Sequence, residues 1–386
     1  MTGRPRVTAA VTGGGIAGLT VSLALARRGH AVTLIDRDPG GPPAAVGDVE
    51  RWARSGVAQF HHPHAFLARM YAELLAELPD VVDGLRAAGA VDASLPGGLH
   101  SFWCRRSTVE WVLRRAVEAE PGIEIRLDTA RRVEAEGGTV VGLRMAAGGL
   151  RPAGLVVDCG GRRSRLTTNF VAEERVDEPS EEVYHSRRYR IRPGRRFGAA
   201  NRGVIAVEEA DGYTILVFPH DAGTFTLTFT RLPQDTALAA LKDVRAFEAA
   251  ARSTPLASAW TDPDYAEPVS GVMVMAGLRN VFRPLGASAP LGLHAVGDVV
   301  CTTNPHFGRG SSLAVAHALR LARAVAEAPG DPGHWRERDD AWIRDELRLW
   351  FEDARSIDRG RIAAWRAAVA GAGAVAGVGA GAAPGG

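Results

Sequence analysis

The sequence predicts an α/β fold in which strand–helix alternation is interrupted by an antiparallel sheet and closed by C-terminal helices. Three observations carry this. An apolar strand, Val7 to Val11, runs into a glycine-rich turn and a helix, and the same pattern returns at Leu293 to Val296. From about Glu174 to Arg231 the period changes to the two-residue alternation of strands. Beyond Pro329 and Gly330, helical patterning carries Trp335, Trp342 and Trp350 at about two-turn spacing, as expected of core packing.

The 386 residues include 46 basic and 44 acidic side chains, a net charge of +2 that gives no electrostatic case for nucleic acid or a membrane surface. All the positive side chains but Lys242 are arginine. Cys104, Cys159 and Cys301 lie far apart with no CxxC pair, which reads as structural thiols in a reduced, cytoplasmic protein. Met1 to Arg6 is polar and leads straight into the first strand, so no signal peptide is expected. No stretch reaches the ~18 uncharged apolar residues of a membrane span.

The first strand ends in Gly13-Gly14-Gly15-Ile16-Ala17-Gly18, and a helix follows with Ile16, Leu19 and Leu23 on one face. Arg27, Arg28 and Gly29 supply its stop. A second strand, Ala31 to Ile35, ends on Asp36-Arg37. In this strand–turn–helix–strand setting, Gly13 permits the tight turn and Gly15 lets the backbone approach a pyrophosphate. Gly18 allows close helix–strand packing, and the helix N-terminus offers free N–H groups to the anion. Asp36 suits the hydroxyls of an adenosine ribose. A dinucleotide is therefore expected on a Rossmann-like domain, and the motif alone does not separate NAD from FAD.

After a Pro/Gly loop (Pro39 to Gly47), a helix is expected over His64 to Leu78, with Phe66, Met70, Leu74 and Leu78 inward. His61, His62 and His64 precede it without converging or meeting a carboxylate, so no metal site is expected. Ser107 to Glu118 reads as a helix, and Ile123 to Leu127, Arg131 to Ala135 and Val140 to Met145 read as strands. Leu155-Val156-Val157 is a buried strand ending on Asp158-Cys159-Gly160-Gly161-Arg162. In the antiparallel region Asp211-Gly212 marks a hairpin between Val204 to Val207 and Tyr213 to Phe218. Thr224 to Arg231 alternates Phe225, Leu227 and Phe229 with four threonines. The threonine face is expected to meet water, or otherwise to line a cavity. A helix over Thr236 to Arg252 should cover the apolar face, and Ser311 to Glu327 forms a later helix. Residues 367–386, nearly all Ala, Gly and Val, are expected to be disordered.

Three separated motifs give a specific resemblance. They are Gly13-x-Gly15-x-x-Gly18 with Asp36-Arg37, the run Asp158-Cys159-Gly160-Gly161-Arg162-Arg163-Ser164-Arg165, and Gly297-Asp298-x-x-Cys301-x-x-Asn304-Pro305-His306-Phe307-Gly308-Arg309-Gly310. Over roughly residues 7 to 330 the chain resembles flavin-dependent monooxygenases of the p-hydroxybenzoate hydroxylase fold, most of all the polyether and squalene-type epoxidase branch. It departs from the family pattern at Cys159, Gly160 and Arg163, and at Arg309, where a glutamine is usual.

The resemblance implies a Rossmann-like FAD-binding domain of the GR2 type with an inserted antiparallel-sheet substrate domain. It assigns residues 1–75, 99–173 and 270–330 to the FAD domain, 76–98 and 174–269 to the substrate domain, and 331–366 to C-terminal helices. By the resemblance, Asp298 bonds the ribityl chain, Pro305 borders the isoalloxazine, and Gly308 to Gly310 put a helix N-terminus near the ring. Arg106 contacts FAD, the Val133 backbone meets the adenine, and Asn304, His306 and Arg309 are the polar groups nearest the ring. Asn304, His306, Phe218 and Phe229 are substrate-pocket candidates, and the aromatic content of the insertion suits a lipophilic small molecule.

The implied reaction is hydroxylation or epoxidation with O2 through a flavin C4a-hydroperoxide, within specialised metabolism. No second glycine motif marks an NADPH domain, so the electrons come from transient NADPH or NADH, or from a separate flavin reductase. No acid–base dyad stands out, and no catalytic residue is assigned. A flavin dehydrogenase or double-bond reductase, and a non-redox binding protein on the same fold, stay open. Halogenation is disfavoured because the Gly-Trp-x-Trp-x-Ile-Pro signature is absent and Lys242 lies on the insertion.

Overall fold

The computed structural model describes residues 6–379, with side chains through residue 370. The chain forms two compact units. One comprises the chain up to Glu178 together with Asn280–Glu352; the other comprises Pro179–Arg279 and the chain from Asp353.

The first unit is built on a five-stranded parallel sheet, in the order Leu293–Ala295, Leu155–Asp158, Thr8–Thr12, Ala31–Asp36, Ile123–Leu127. Its four strands from Leu293–Ala295 to Ala31–Asp36 are mostly apolar and buried, whereas the edge strand Ile123–Leu127 leaves Glu124, Arg126 and Leu127 exposed. The register places Thr12 opposite both Ile35 and Asp158, and Ala295 opposite Asp158. All three motifs therefore leave the sheet at the carboxyl ends of neighbouring strands, where open α/β sheets bind ligands. On one face Ile16–Ala26, Ala68–Glu77, Arg106–Ala119 and Arg309–Glu327 share a core through Leu19, Leu23, Leu74, Val109, Leu113, Val315 and Leu319. Strands Ala130–Glu136, Thr139–Met145 and Leu150–Pro152 form a small antiparallel sheet that packs against Ala10, Ile35 and Val156.

Residues 76–98, assigned by the resemblance to the substrate domain, fall in this first unit. The reason is the helix Pro79–Ala87, which buries Val81, Val82 and Leu85 in the same core as Leu19 and Val109. Trp335 and Trp342 are buried as expected of core residues, but Trp350 is 39% exposed and serves as a platform for Arg309.

The second unit holds a five-stranded antiparallel sheet ordered Ala206–Ala210, Tyr213–Pro219, Thr224–Arg231, Val183–Ile191, Ala266–Met275. The last strand carries residues 270–279, expected in the FAD domain, into this unit, because it pairs with Val183–Ile191 from Tyr184↔Met275 to Ile191↔Ala266. Helices Val244–Ser253 and Pro255–Thr261 cover the apolar face through Phe247, Ala251 and Trp260, which meet Phe225, Leu227 and Phe229. Asp243 caps the first of them by accepting from the Arg245 and Ala246 N–H groups.

Thr224, Thr226, Thr228 and Thr230 are fully buried, so the expectation of a water-facing threonine face is overturned. They pair across the sheet with Arg190, Arg188, Ser186 and Tyr184, and Thr226 Oγ1 meets His220 Nε2 at 3.0 Å. Their hydroxyls make this a buried polar face rather than a solvent face. Helix Arg348–Gly379 runs through residues 367–379, where disorder was expected, while residues 380–386 lie outside the described part. It is tied to this unit's sheet by Arg361, which donates to Asp358 at 2.6 Å and to buried Glu182 at 2.9 Å. Among the described residues no helix is long and apolar enough to cross a membrane.

Candidate cofactor site

The loop from Gly13 to Gly15 is shaped by contacts that a side chain would break. Gly13 holds a φ of 93°, and a Cβ there would run into the Cys159 carbonyl. The Gly13 N–H donates to the Ile35 carbonyl at 2.8 Å, tying the turn to the second strand. A Cβ on Gly14 would meet the Asp36 carboxylate, and one on Gly18 would meet the Gly13 carbonyl. Gly15 is different. It caps Ile16–Ala26 without any side-chain cap, and nothing lies within 4 Å of where its Cβ would stand. The first helical turn, starting at Ile16 and Ala17, thus presents its positive end across open space.

A second helix repeats this arrangement. Gly308, with a φ of 64°, caps Arg309–Glu327 with no side-chain cap, and a Cβ there would press on Ala65 at 2.7 Å. Gly310 is open on its Cβ side. The two helices meet at Gly297, where a Cβ would stand 3.1 Å from the Cβ of Ala17 and 3.4 Å from that of Ala314.

Asp298 follows at that junction. Its main-chain carbonyl accepts from Thr302 Oγ1 at 3.0 Å and from Arg283 at 3.4 Å. Its carboxylate has no hydrogen-bond or ion-pair partner among the described residues. Burial raises its pKa, against the opposing fields of Arg106, Arg162 and Arg283. Part of the side chain keeps its surface, so the desolvation comes from the protein packed beneath it. An unpaired acid beside two open helix N-termini fits the hydroxylated chain and the phosphates of FAD.

Asp158 has a different place. Its carboxylate accepts from Thr12 Oγ1 at 3.1 Å, the Gly160 N–H at 2.9 Å, Ser164 Oγ at 2.6 Å and Thr167 Oγ1 at 3.1 Å. These bonds spend the fully buried acid on ordering its own loop, in which Gly161 has a φ of 75°. Arg283 braces that loop through the Arg162 carbonyl at 3.0 Å.

At the end of the second strand Asp36 pairs with Arg54 at 2.8 Å. Arg54 also reaches Asp38 at 3.0 Å, the Gly14 carbonyl at 3.0 Å and Glu110 at 3.4 Å. Arg106, at the start of its helix, donates to Glu110 at 2.7 Å and to His64 Nε2 at 3.2 Å. Neither Arg54 nor Glu110 carried a sequence signal; only the spatial convergence of acids around Arg54 marks it. Arg37 is exposed and lies along Gly56. Val133 is half-buried against the cluster that contains Ile35.

Pro305 opens the short turn Pro305–Phe307, held by Asn304, whose N–H donates to Asn280 Oδ1 at 2.7 Å. Asn304 and His306 are both buried. The Arg309 guanidinium stacks on Phe307 and Trp350, each at 5.1 Å, where a glutamine could not. Phe218 and Phe229 lie in the second unit on opposite faces of its sheet and so cannot share one pocket wall. Phe218 pairs with Thr226 on the polar face, whereas Phe229 is core, edge-on to Phe247 at 5.1 Å.

The parallel sheet, the two glycine-capped helix N-termini and the inserted antiparallel sheet define a Rossmann-like FAD-binding fold. Residues 8–156 match the family described as FAD dependent oxidoreductase. Solved structures share the fold across nearly the whole chain. The flavin-dependent brominase Bmp2 is 18% identical with a TM-score of 0.68, over 94% of this chain and 89% of that one. The myxobacterial chondrochloren halogenase CndH is 20% identical with a TM-score of 0.67, over 90% and 82%. PqsL from Pseudomonas aeruginosa, described as a candidate FAD-dependent monooxygenase, is 14% identical with a TM-score of 0.65, over 93% and 99%. No curated protein matches the sequence.

Proposed function

We propose that the chain is an FAD-dependent monooxygenase that transfers one oxygen atom of O2 to a lipophilic small molecule, by hydroxylation or epoxidation. The observation that carries the cofactor is the unpaired Asp298 carboxylate at the junction of the two open helix N-termini. FAD, when bound, supplies the redox and oxygen chemistry; the protein supplies position and field. The Ile16–Ala26 N-terminus and Gly15 would hold the pyrophosphate, Asp36 the adenosine ribose, and Asp298 the ribityl hydroxyls. The N-terminus of Arg309–Glu327 would stabilise negative charge on the reduced ring. Arg106 would balance the phosphates from the N-terminus of its own helix.

The resemblance to the epoxidase branch supports oxygen transfer over halogenation. Lys242, the chain's one lysine, is exposed on the short turn Leu238–Lys242 of the second unit. Reduction comes from NADPH or NADH, or from a separate flavin reductase.

Anaerobic titration of the FAD-loaded protein with NADPH and NADH, followed by turnover under oxygen-18 with bromide and chloride present, tests the reading. Label in the product supports it. Halogenated product would assign a halogenase, and oxidised or saturated product without label would assign a dehydrogenase or reductase. Protein that never retains FAD would leave a non-redox binding protein.

A further inference from the structure

Arg54 lies outside every sequence motif, yet its side chain is 4% exposed and its guanidinium meets four acceptors from three other segments. We propose that Arg54 is a positioning residue that presets the phosphate loop and the ribose acid for the adenosine half of the dinucleotide. The inference rests on the cofactor reading above.

In a trans peptide the carbonyl of one residue and the N–H of the next point in opposite directions. Arg54 draws the Gly14 carbonyl toward itself at 3.0 Å, so the Gly15 N–H turns the other way. Around Gly15 itself the space is open, with nothing within 4 Å of its Cβ position. One buried bond thus aims the donor that a phosphate needs.

The same guanidinium fixes Asp36. Its Nη2 binds Oδ2 at 2.8 Å, while Oδ1 takes the Asp38 N–H at 3.2 Å. The carboxylate plane is therefore set before a ribose arrives, with lone pairs left on each oxygen. Asp38 is held in turn by Arg54 Nε at 3.0 Å and accepts the Gly40 N–H at 3.2 Å, so the loop after the strand is locked too.

Glu110 extends the arrangement. Fully buried, it takes Arg54 on one oxygen and Arg106 on the other. His64 Nδ1 meets the His62 carbonyl at 2.9 Å and so carries the proton, leaving Nε2 to accept from Arg106. The groups meant for the pyrophosphate and the ribose thus belong to one network with Arg54 at its centre. Burial lowers the Arg54 pKa, but Glu110, Asp36 and Asp38 outweigh it and keep the cation charged. A lysine could not replace it, because a compact ammonium with three donors cannot serve four acceptors spread around a planar fork.

The test uses apoprotein carrying Arg54→Lys, titrated calorimetrically with FAD and with ADP, which holds only the adenosine half. Both affinities should fall at least tenfold, by a similar factor, while the folded apoprotein keeps a cooperative melt. FAD and ADP affinities within twofold of wild type overturn the proposal, as does loss of FAD affinity with ADP unchanged. If Arg54→Lys does not fold, Asp38→Ala carries the test, since it removes the acceptor of Arg54 Nε and keeps the main-chain N–H that Asp38 gives to Asp36. It should weaken ADP about threefold, and unchanged ADP affinity refutes the proposal. Wild-type protein that binds neither ligand would instead refute the cofactor reading itself.

Discussion

Gly15→Ala separates what the glycine loop does for the fold from what it does for a ligand. In the apoprotein the new methyl enters empty space, since nothing lies within 4 Å of that position. The backbone there, at φ −88° and ψ −174°, is one that alanine adopts without strain. Alanine is a poorer N-cap than glycine, which costs up to about 1 kcal/mol. Narrowing the unfolded ensemble returns about 0.4–1 kcal/mol. The net change is within about 1 kcal/mol, a shift of at most about 2–4 °C in melting temperature. A bound pyrophosphate would need that same space. Losing one charge-assisted hydrogen bond costs about 1.5–3 kcal/mol, or roughly 10- to 150-fold in affinity. Gly18→Ala is the contrasting variant: its methyl is driven into the Gly13 carbonyl, so the apoprotein itself should lose stability by about 1–3 kcal/mol. Thermal unfolding of the apoproteins, paired with FAD titration by flavin fluorescence, reads both quantities. Gly15→Ala that melts like wild type and binds FAD within twofold of it would refute the assignment of this loop to the dinucleotide.

Two further variants probe charge. Asp298 has its pKa raised by burial, so the apoprotein is most favoured with this group protonated and loses that contribution as pH rises through the folded-state pKa. Asp298→Asn should therefore melt higher than wild type at neutral pH, with the gap closing toward the ordinary aspartate range, while FAD binds about tenfold more weakly. A melting difference that widens on acidification would contradict this. In the second unit His185 is pushed from 6.5 down to about 4, first by burial and then by Arg231, whose Nε donates to its Nε2 at 3.1 Å. The unfolded chain takes up a proton that the folded unit refuses, so stability falls as pH drops from about 6.5 toward about 4. His185→Gln should flatten that part of a pH series of melting curves, and an unchanged slope would place the titration elsewhere.

What the sequence made legible follows from how local each piece of information is. The five-stranded parallel sheet and the two helices after glycine turns were readable because strand, turn and helix are neighbours in the chain. At Gly13, Gly18 and Gly308 the backbone itself enforces the residue. The inserted sheet was readable for the same reason, through the alternation from Thr224 to Arg231, but which face met water was not. Alternation shows that the two faces differ, whereas burial of the threonine face depends on what the rest of the chain lays over it. Placement of residues 76–98 failed similarly, since Val81, Val82 and Leu85 mark an amphipathic helix without naming its partner. Arg54 shows where the boundary lies. Its four acceptors come from Gly14, Asp36, Asp38 and Glu110, three of them before and one after a Pro/Gly loop that has no period to read. In a chain whose positive side chains are arginine but for one lysine, residue type singles out none of them. A buried cation announces itself only through the carboxylates that must fold around it, so an arginine facing several carboxylates beside a glycine loop is a signal that structure can supply and a single sequence cannot.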